Sequence, residues 1–173
     1  MIYALMLKLY PHREEAGKRD WQAFCRFDIH TDGDLYLRRF ILAKTPWGGL
    51  YLHHILRSDI DRCPHDHPWA FGSLILAGGY HEETFVRTEV QWRGQGPDRQ
   101  QVSCPQSDER AQRWYGPGSF RWVPAHHTHR VLLPEGRPAW SLVVIGARVR
   151  SWGFWQKGAW VPWKTFVGGE RDC

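Results

Sequence analysis

The placement of the histidines in this chain suggests that some of them bind a metal ion. Seven of the ten histidines fall in three short groups. Neutral imidazole nitrogen is a ligand for divalent Fe, Mn, Ni, Cu and Zn ions. Side chains two positions apart in an extended segment share a face, so His65 and His67 can present both imidazoles to one ion. The groups are His53 and His54, His65 and His67, and His126, His127 and His129.

Neighbouring histidines cannot all join such a site. His53 and His54 are adjacent, so a strand can turn at most one of them toward an interior. His126 and His127 are predicted to lie in a turn, where either could donate a proton near neutral pH. His129 follows this turn and opens the next predicted strand.

The segment 116–131 (GPGSFRWVPAHHTHRV) predicts how His129 reaches the first two ligands. A Gly-Pro-Gly turn leads into a short aromatic strand, Pro124 begins a tight connection, and His129 opens the next strand. Bringing His129 beside His65 and His67 requires antiparallel hairpins folded face to face, as in a jelly roll.

The chain from Asp34 onward predicts short strands that are separated by Gly and Pro turns. Strands of this length at regular spacing are typical of an all-β sandwich or barrel. We expect a single globular unit in which residues 1–33 form an extension that packs on a barrel of residues 34–173. The predicted strands are 36–42, 49–56, 70–77, 80–86, 120–124, 129–133, 140–146 and 149–155.

Three segments differ from this strand pattern. Residues 1–10 (MIYALMLKLY) have neither a basic leader nor a small-residue cleavage site, so we interpret them as a strand or edge segment rather than a signal peptide. Residues 13–26 predict a short helix, although Gly17 weakens it. Residues 93–113 contain almost no apolar side chains and predict a long loop, for which a surface excursion is favoured over an active-site lid.

The net charge and the cysteines indicate which class of ligand and which cellular compartment to expect. Lys and Arg number 23 against 18 Asp and Glu, which gives a net charge of +5 and a pI near 9.2. This positive balance favours anionic ligands in general, and because the arginines are scattered it does not by itself indicate nucleic acid. The four cysteines form no C-x-x-C pair, so we expect free thiols in a reducing cytoplasm. No apolar run approaches the roughly 18 residues of a membrane-spanning helix.

The histidine segments resemble the two sequence motifs of the cupin superfamily. The resemblance covers roughly residues 60–133, and it implies a cupin-type jelly-roll barrel, here with the short N-terminal helix. It also implies a metal set of His65, His67 and His129. The first motif, G-x5-H-x-H-x3–4-E-x6-G, is matched at His65, His67 and Gly78 or Gly79, and the second, G-x5-P-x-G-x2-H, at Gly118, Pro124 and His129.

The chain departs from these motifs at three places. Asp59 and His126 stand where the motifs have glycine, and the slot of the metal-binding glutamate falls on Phe71 or Gly72, which cannot coordinate. Three neutral imidazoles leave the charge of a divalent ion uncompensated. Coordination positions would then stay open to water or to an anionic, chelating substrate.

Further pocket residues are expected around this metal set. If Glu83 faces inward as an extra ligand, His81 does so too and Glu82 faces solvent, although an exposed polar strand face is the favoured alternative. Arg121 or Arg130 could bind a carboxylate or phosphate, although a solvent-exposed position on the surface is the favoured alternative for each. Aromatic lining of the pocket is expected from Trp69, Phe71 and Trp122.

Two functions are consistent with this pattern. The first is a divalent-metal enzyme that acts on a small polar or anionic molecule, dioxygenase-like with Fe, or isomerase-like or lyase-like with Mn, Ni or Zn. The alternative is a non-catalytic cupin that binds or senses a small ligand. A nucleic-acid partner is disfavoured because basic residues are interspersed with acidic ones. The tryptophan-rich segment 151–166 either covers the sheet or forms a homodimer contact.

Overall fold

The structure is a computed structural model that describes most of the chain. Within the described part, the secondary structure consists of strands and two short helices. The described residues are 2–13, 21–31, 33–59, 63–85, 88–95, 99–105 and 109–168. The elements are α1 (Ile2–Leu9), β1 (Gln22–Thr31), β2 (Asp34–Thr45), β3 (Gly48–Ile55), β4 (Phe71–Ala77), β5 (Tyr80–Phe85), β6 (Thr88–Arg93), β7 (Gln100–Pro105), β8 (Arg110–Tyr115), β9 (Phe120–Val123), β10 (His129–Leu132), β11 (Ala139–Ile145), β12 (Gly153–Gln156), β13 (Ala159–Pro162) and α2 (Trp163–Gly168).

Two antiparallel layers form the body of the fold. One is a six-stranded sheet in the order β1-β2-β3-β11-β4-β9, and the other is a three-stranded sheet in the order β10-β5-β8. Single bridges from His65 to His129 and to Phe154 connect the β12–β13 hairpin to the second layer. This confirms the predicted jelly-roll architecture. The expected closure into a barrel is wrong, because the two sheets do not join into one continuous ladder.

Alternation along the strands divides the interior into two apolar clusters. Residues i and i+2 of a strand point to the same face, and here that face carries aliphatic and aromatic side chains. The second cluster contains residues of both sheets, which shows that the layers face each other. The first cluster consists of Cys25, Ile41, Tyr51, Phe71, Val123, Val143 and Ile145. The second cluster consists of Leu37, Ile55, Ile75, Tyr80, Val131 and Ala139.

A set of polar side chains, here called the polar band, lies on the same inward faces between the two clusters. On β2, for example, Arg39 lies between Leu37 of the second cluster and Ile41 of the first. Each member of the band is two positions from a cluster residue on its own strand, so it shares that inward face. The polar band consists of Arg39, His53, Ser73, Glu82, Arg121, His129 and Ser141.

The short N-terminal helix is present, but it lies earlier in the chain than the sequence predicts. Residues Ile2–Leu9 form a helix instead of a strand, because this stretch is rich in Ala, Leu, Met and Lys, which favour helices. From Gln22 onward the predicted helix over 13–26 is replaced by β1, whose pairing with β2 overrides a weak local preference. Residues 14–20 lie outside the described part. The division at residue 33 falls between β1 and β2 and stays a prediction.

The predicted long loop over 93–113 is also wrong. It contains all of β7 and most of β8, and β7 pairs with β6 as an antiparallel hairpin. All the side chains of β6 are exposed, so no apolar alternation marks this hairpin in the sequence. Residues 96–98 and 106–108 lie outside the described part.

The cysteines and the C-terminal segment are positioned as follows. Cys63 is disulfide-bonded, contrary to the expectation of free thiols, whereas Cys25 and Cys104 are free and buried. Around Cys63, Phe154 and Phe166 form a third apolar cluster with the β12–β13 hairpin and α2, so the tryptophan-rich segment covers this end of the fold. Neither helix in the described part of the chain has the length and apolar character needed to cross a bilayer.

The outer face of the six-stranded sheet carries the second histidine of the pair on β3. His54 stacks on Trp140 with ring centroids 4.1 Å apart and an interplanar angle of 9°, and Tyr3 of α1 contacts it edge-on at 5.2 Å. Burial, together with the nearby Arg38 cation, lowers the pKa of His54 from 6.5 to about 4. His54 is therefore neutral in the folded protein at neutral pH.

This shift makes stability depend on pH. Because the pKa of His54 is lower in the folded state, the unfolded chain binds more protons between pH 6.5 and 4, and stability is lost as the pH falls through this window. We expect His54→Phe to reduce that loss by about 1–3 kcal/mol in urea unfolding at pH 7 and pH 4.5. The exposed His30→Phe variant is the control. Equal losses in the wild type and His54→Phe would contradict the interpretation.

Candidate metal centre

The H-D-H segment runs as an extended strand between β10 and β12. The backbone N–H of His65 donates to the carbonyl of His129 at 2.9 Å, and the reverse bond is 3.0 Å long. The N–H of Asp66 donates to the carbonyl of Gly153 at 3.1 Å on the other side. In this extended backbone His65 and His67 lie on one face and Asp66 on the other.

Asp66 fixes the orientation of this segment. Its side chain is fully buried and accepts hydrogen bonds from the backbone N–H of Gly153 at 2.8 Å and from the indole of Trp160 at 2.9 Å. Arg150 forms an ion pair with Asp66 at 2.8 Å and also donates to the carbonyl of His67 at 3.2 Å. Since Asp66 is held on one side of the strand, both flanking imidazoles must point to the other.

The three predicted ligands converge at this point. One ligand nitrogen from each of His65, His67 and His129 lies within 4.8 Å of the others, and the Nε2 atoms of His67 and His129 are 2.8 Å apart. Two imidazoles bound at adjacent positions of one ion, each at about 2.1 Å, have nitrogens about 3 Å apart. At 2.8 Å the two nitrogens are satisfied either by a proton shared between the rings or by a cation bound to both. The spacing and the donor type of the three imidazoles fit a divalent transition metal.

Glu82 and Arg121 form the surroundings of His129. The Nδ1 atom of His129 lies 2.5 Å from Oε1 of Glu82, and Arg121 forms an ion pair with the other carboxylate oxygen. An ionised carboxylate can only accept, so we assign the proton to Nδ1 and the lone pair to Nε2, which is directed toward His67. With this tautomer the 3.1 Å approach of Arg121 Nη2 to the same Nδ1 atom is a contact and not a hydrogen bond. A carboxylate behind a ligating histidine fixes its ring and raises its basicity.

A second group of donors, Glu82, His127 and His129, also lies within 4.8 Å. It fits a cation less well for two reasons. Arg121 already neutralises Glu82, and the Nδ1 atom of His129 donates a proton to that carboxylate. His127 is held at 3.2 Å from the same carboxylate oxygen. The chemistry of the donors therefore favours the three-histidine set.

The electrostatics of the site favour neutral imidazole. Burial and the neighbouring His129, His65 and Arg121 hold the pKa of His67 well below its usual range. Burial also lowers the pKa of His129, although Glu82 opposes this. Burial alone would raise the pKa of Glu82, but the hydrogen bonds from His127 and His129 and the Arg121 cation lower it instead. Metal ligands must be deprotonated, which both histidines are at neutral pH.

His81 and Glu83, the two residues of β5 considered as extra ligands, lie on the face of the strand that points away from the three histidines. Glu83 is buried on the other face, where it forms an ion pair with Arg130, and His81 packs on Trp114 with ring centroids 5.0 Å apart. Glu82 is the residue that faces the histidines and is 4% exposed. Because His81, Glu82 and Glu83 are all polar, no alternation of apolar and polar side chains in the sequence indicates which of them faces inward.

The other predicted pocket residues are divided between the interior and the surface. Phe71 packs edge-on against His67 with ring centroids 4.8 Å apart, and Trp69 packs on the first apolar cluster. Trp122 is 62% exposed on the outer face, so it does not line the site. Arg121 is buried and points inward, but its carboxylate partner is Glu82 of the protein itself, which corrects the favoured solvated role.

Solved structures with similar folds were found at low sequence identity. An RmlC-like cupin from Shewanella frigidimarina is 14% identical over 76% of this chain and 96% of its own, with a TM-score of 0.44. KdgF from Halomonas sp. is 19% identical, covering 77% of this chain and 93% of its own, with a TM-score of 0.42.

Fe(II)-HppE is 15% identical over 69% of this chain, with a TM-score of 0.49. The present chain spans only 54% of the length of Fe(II)-HppE. No protein-family model matches the sequence, and no curated protein matches it either.

Neighbouring glutamates on β5 allow a matched test of the carboxylate behind His129. Glu82 and Glu83 are both buried and both form an ion pair with an arginine, but only Glu82 contacts a candidate ligand. We expect Glu82→Gln to weaken the affinity for Mn²⁺ or Zn²⁺ by about 10- to 100-fold in calorimetric titrations. Glu83→Gln should keep the wild-type affinity, and equal weakening in both variants would refute the assigned role.

Proposed function

We propose that this chain is a divalent-metal enzyme of the cupin type that acts on a small polar or anionic molecule. The observation that supports this most directly is the convergence of His65, His67 and His129 within 4.8 Å on a partly accessible face. Fe, Mn, Ni and Zn all suit this donor set. When bound, the ion would supply Lewis-acid or oxygen-activating chemistry, which suits isomerase, lyase or dioxygenase reactions.

The residues of the chain have separate tasks in this proposal. His65, His67 and His129 hold the ion, and Glu82 orients His129 through its Nδ1 proton. Phe71 shields one side of His67 from water. No carboxylate takes part as a ligand, so the charge of the ion stays uncompensated and an anionic group is favoured at the open positions.

His127 is the group best placed to hold a proton beside the site. It shares the Glu82 carboxylate with His129 and is a third exposed, so it can exchange protons with solvent. His127 is therefore our candidate for the residue that holds this proton.

The alternative is a non-catalytic cupin that binds or senses a small ligand. The observation that favours it is the apolar β4 at the slot of the usual glutamate, where Phe71 and Gly72 offer no donor atom. The convergence of three histidines, of which His129 is held by the buried Glu82 carboxylate, favours the enzyme. A cytoplasmic location, a homodimer and the absence of a nucleic-acid partner stay predictions.

Metal content tests the proposed function. Protein purified without an affinity tag and supplied with Fe²⁺, Mn²⁺, Ni²⁺ or Zn²⁺ should hold about one ion per chain by elemental analysis. We expect His65→Ala, His67→Ala and His129→Ala to lose it, and His81→Ala, the control on the other face of β5, to retain it.

His127→Ala separates the two candidate donor sets. It should retain the ion if the three histidines bind it. Loss in His127→Ala with retention in His65→Ala would indicate the Glu82 set, and no bound ion in the wild type would reject the metal enzyme.

A further inference from the structure

We propose that Arg39 binds an anionic group, a carboxylate or a phosphoryl group, of the molecule on which the site acts. The inference deepens the proposed function and rests on it for the identity of that molecule. It arises from the polar band, in which every other charged side chain has a partner of opposite charge or belongs to the candidate metal centre.

Arg39 lies inside the fold and is not a surface cation. Leu37 and Ile41, two positions away on either side, belong to the two apolar clusters, so the side chain of Arg39 shares their inward face. In the sheet register Arg39 lies opposite His53, and His53 lies opposite Ser141. Arg39 and His53 are only partly buried, so solvent reaches this part of the interior.

Arg39 has no carboxylate partner within the described residues. Its one side-chain hydrogen bond runs from Nε to Nε2 of His53 at 3.0 Å, and its guanidinium lies over the ring of Tyr51 at 5.3 Å. Burial lowers its pKa, and among described residues only Tyr51 and Tyr36 oppose this. The other arginines in comparable settings are paired, Arg38 with Asp28, Arg121 with Glu82, Arg130 with Glu83 and Arg150 with Asp66.

The arrangement leaves the anion-binding end of Arg39 available. His53 accepts the Nε proton and Tyr51 covers one face of the plane, so both contacts fix the guanidinium without using its Nη atoms. Burial and the adjacent Arg39 hold the pKa of His53 well below its usual range, which keeps it a neutral acceptor. Two Nη groups of a fixed guanidinium form a fork that matches a carboxylate or phosphoryl group.

Arg39 is partly withdrawn from solvent and has no counter-ion among the described residues, so an anion that supplies the missing charge should bind there. The three-histidine site lies in the same interior, because His129 and Arg39 both belong to the polar band. A substrate with an anionic end is therefore attracted by two positive centres, the metal ion and Arg39. The sequence also suggested Arg121 and Arg130 as residues that bind a substrate anion. Both are excluded from this role because each already forms an ion pair within the protein, with Glu82 and Glu83 respectively.

The test measures anion binding directly. Succinate and inorganic phosphate are titrated calorimetrically into Mn²⁺-loaded and metal-free protein, and the two anions distinguish a carboxylate site from a phosphoryl site. We expect Arg39→Gln to weaken binding of the preferred anion by about 10- to 100-fold. Arg57→Gln, which removes the same charge from an exposed position, should bind like the wild type. Manganese content, measured in every sample, should be the same in all three proteins.

A second variant tests whether Arg39 has a purely structural role. Without anions, Arg39→Met should be at least as thermally stable as the wild type, because it removes an uncompensated charge and keeps an apolar stem. Adding the preferred anion should raise the melting temperature of the wild type and not that of Arg39→Met. Equal anion affinity in Arg39→Gln and wild type, or a marked loss of stability in anion-free Arg39→Met, would overturn the proposal. A wild type that binds anions through Arg39 but holds no metal would reject only the proposed enzyme.

Discussion

The two-residue alternation of side chains along a strand is the constraint on which this interior depends. It places the buried Asp66 carboxylate on one side of the H-D-H strand, where Arg150 and Trp160 hold it, and thereby directs His65 and His67 to the other side. The same rule sets the polar band between two apolar clusters. A shift of one residue in any of these strands would turn its polar group out to solvent and an exposed residue inward.

The charges in the interior follow from this arrangement. Glu82 is the one carboxylate in the polar band, and it is shared between Arg121 and His129. It therefore neutralises the protein's own groups and is not available for a bound cation. The three imidazoles would add no negative charge to a bound divalent ion, and Arg39 has no carboxylate partner among the described residues, so both positions favour an anionic ligand. Local departures from full pairing of buried polar groups are typical of functional sites.

Much of the fold could be predicted from the sequence, because apolar and aromatic runs between Gly and Pro turns mark eight of the strands. The three histidines followed from motif spacing, and β4 indeed has no donor at the glutamate slot. The exposed β6–β7 hairpin could not be found, since its side chains contact little and carry no apolar alternation. The order of residues 81–83 left the parity of Glu82 and Glu83 open, which only the register with β10 and β8 fixes. Arg39, in contrast, carried a signal in YLRRFIL, where Leu37 and Ile41 predict its inward face.

Anomalous diffraction from crystals soaked in Mn²⁺ or Zn²⁺ tests the central claim most directly. The account predicts one strong peak, bound by nitrogen atoms of His65, His67 and His129 at about 2.0–2.3 Å, with Glu82 behind His129 and outside the coordination sphere. A peak bound by Glu82 and His127, or no peak among these side chains at saturating metal, would contradict it.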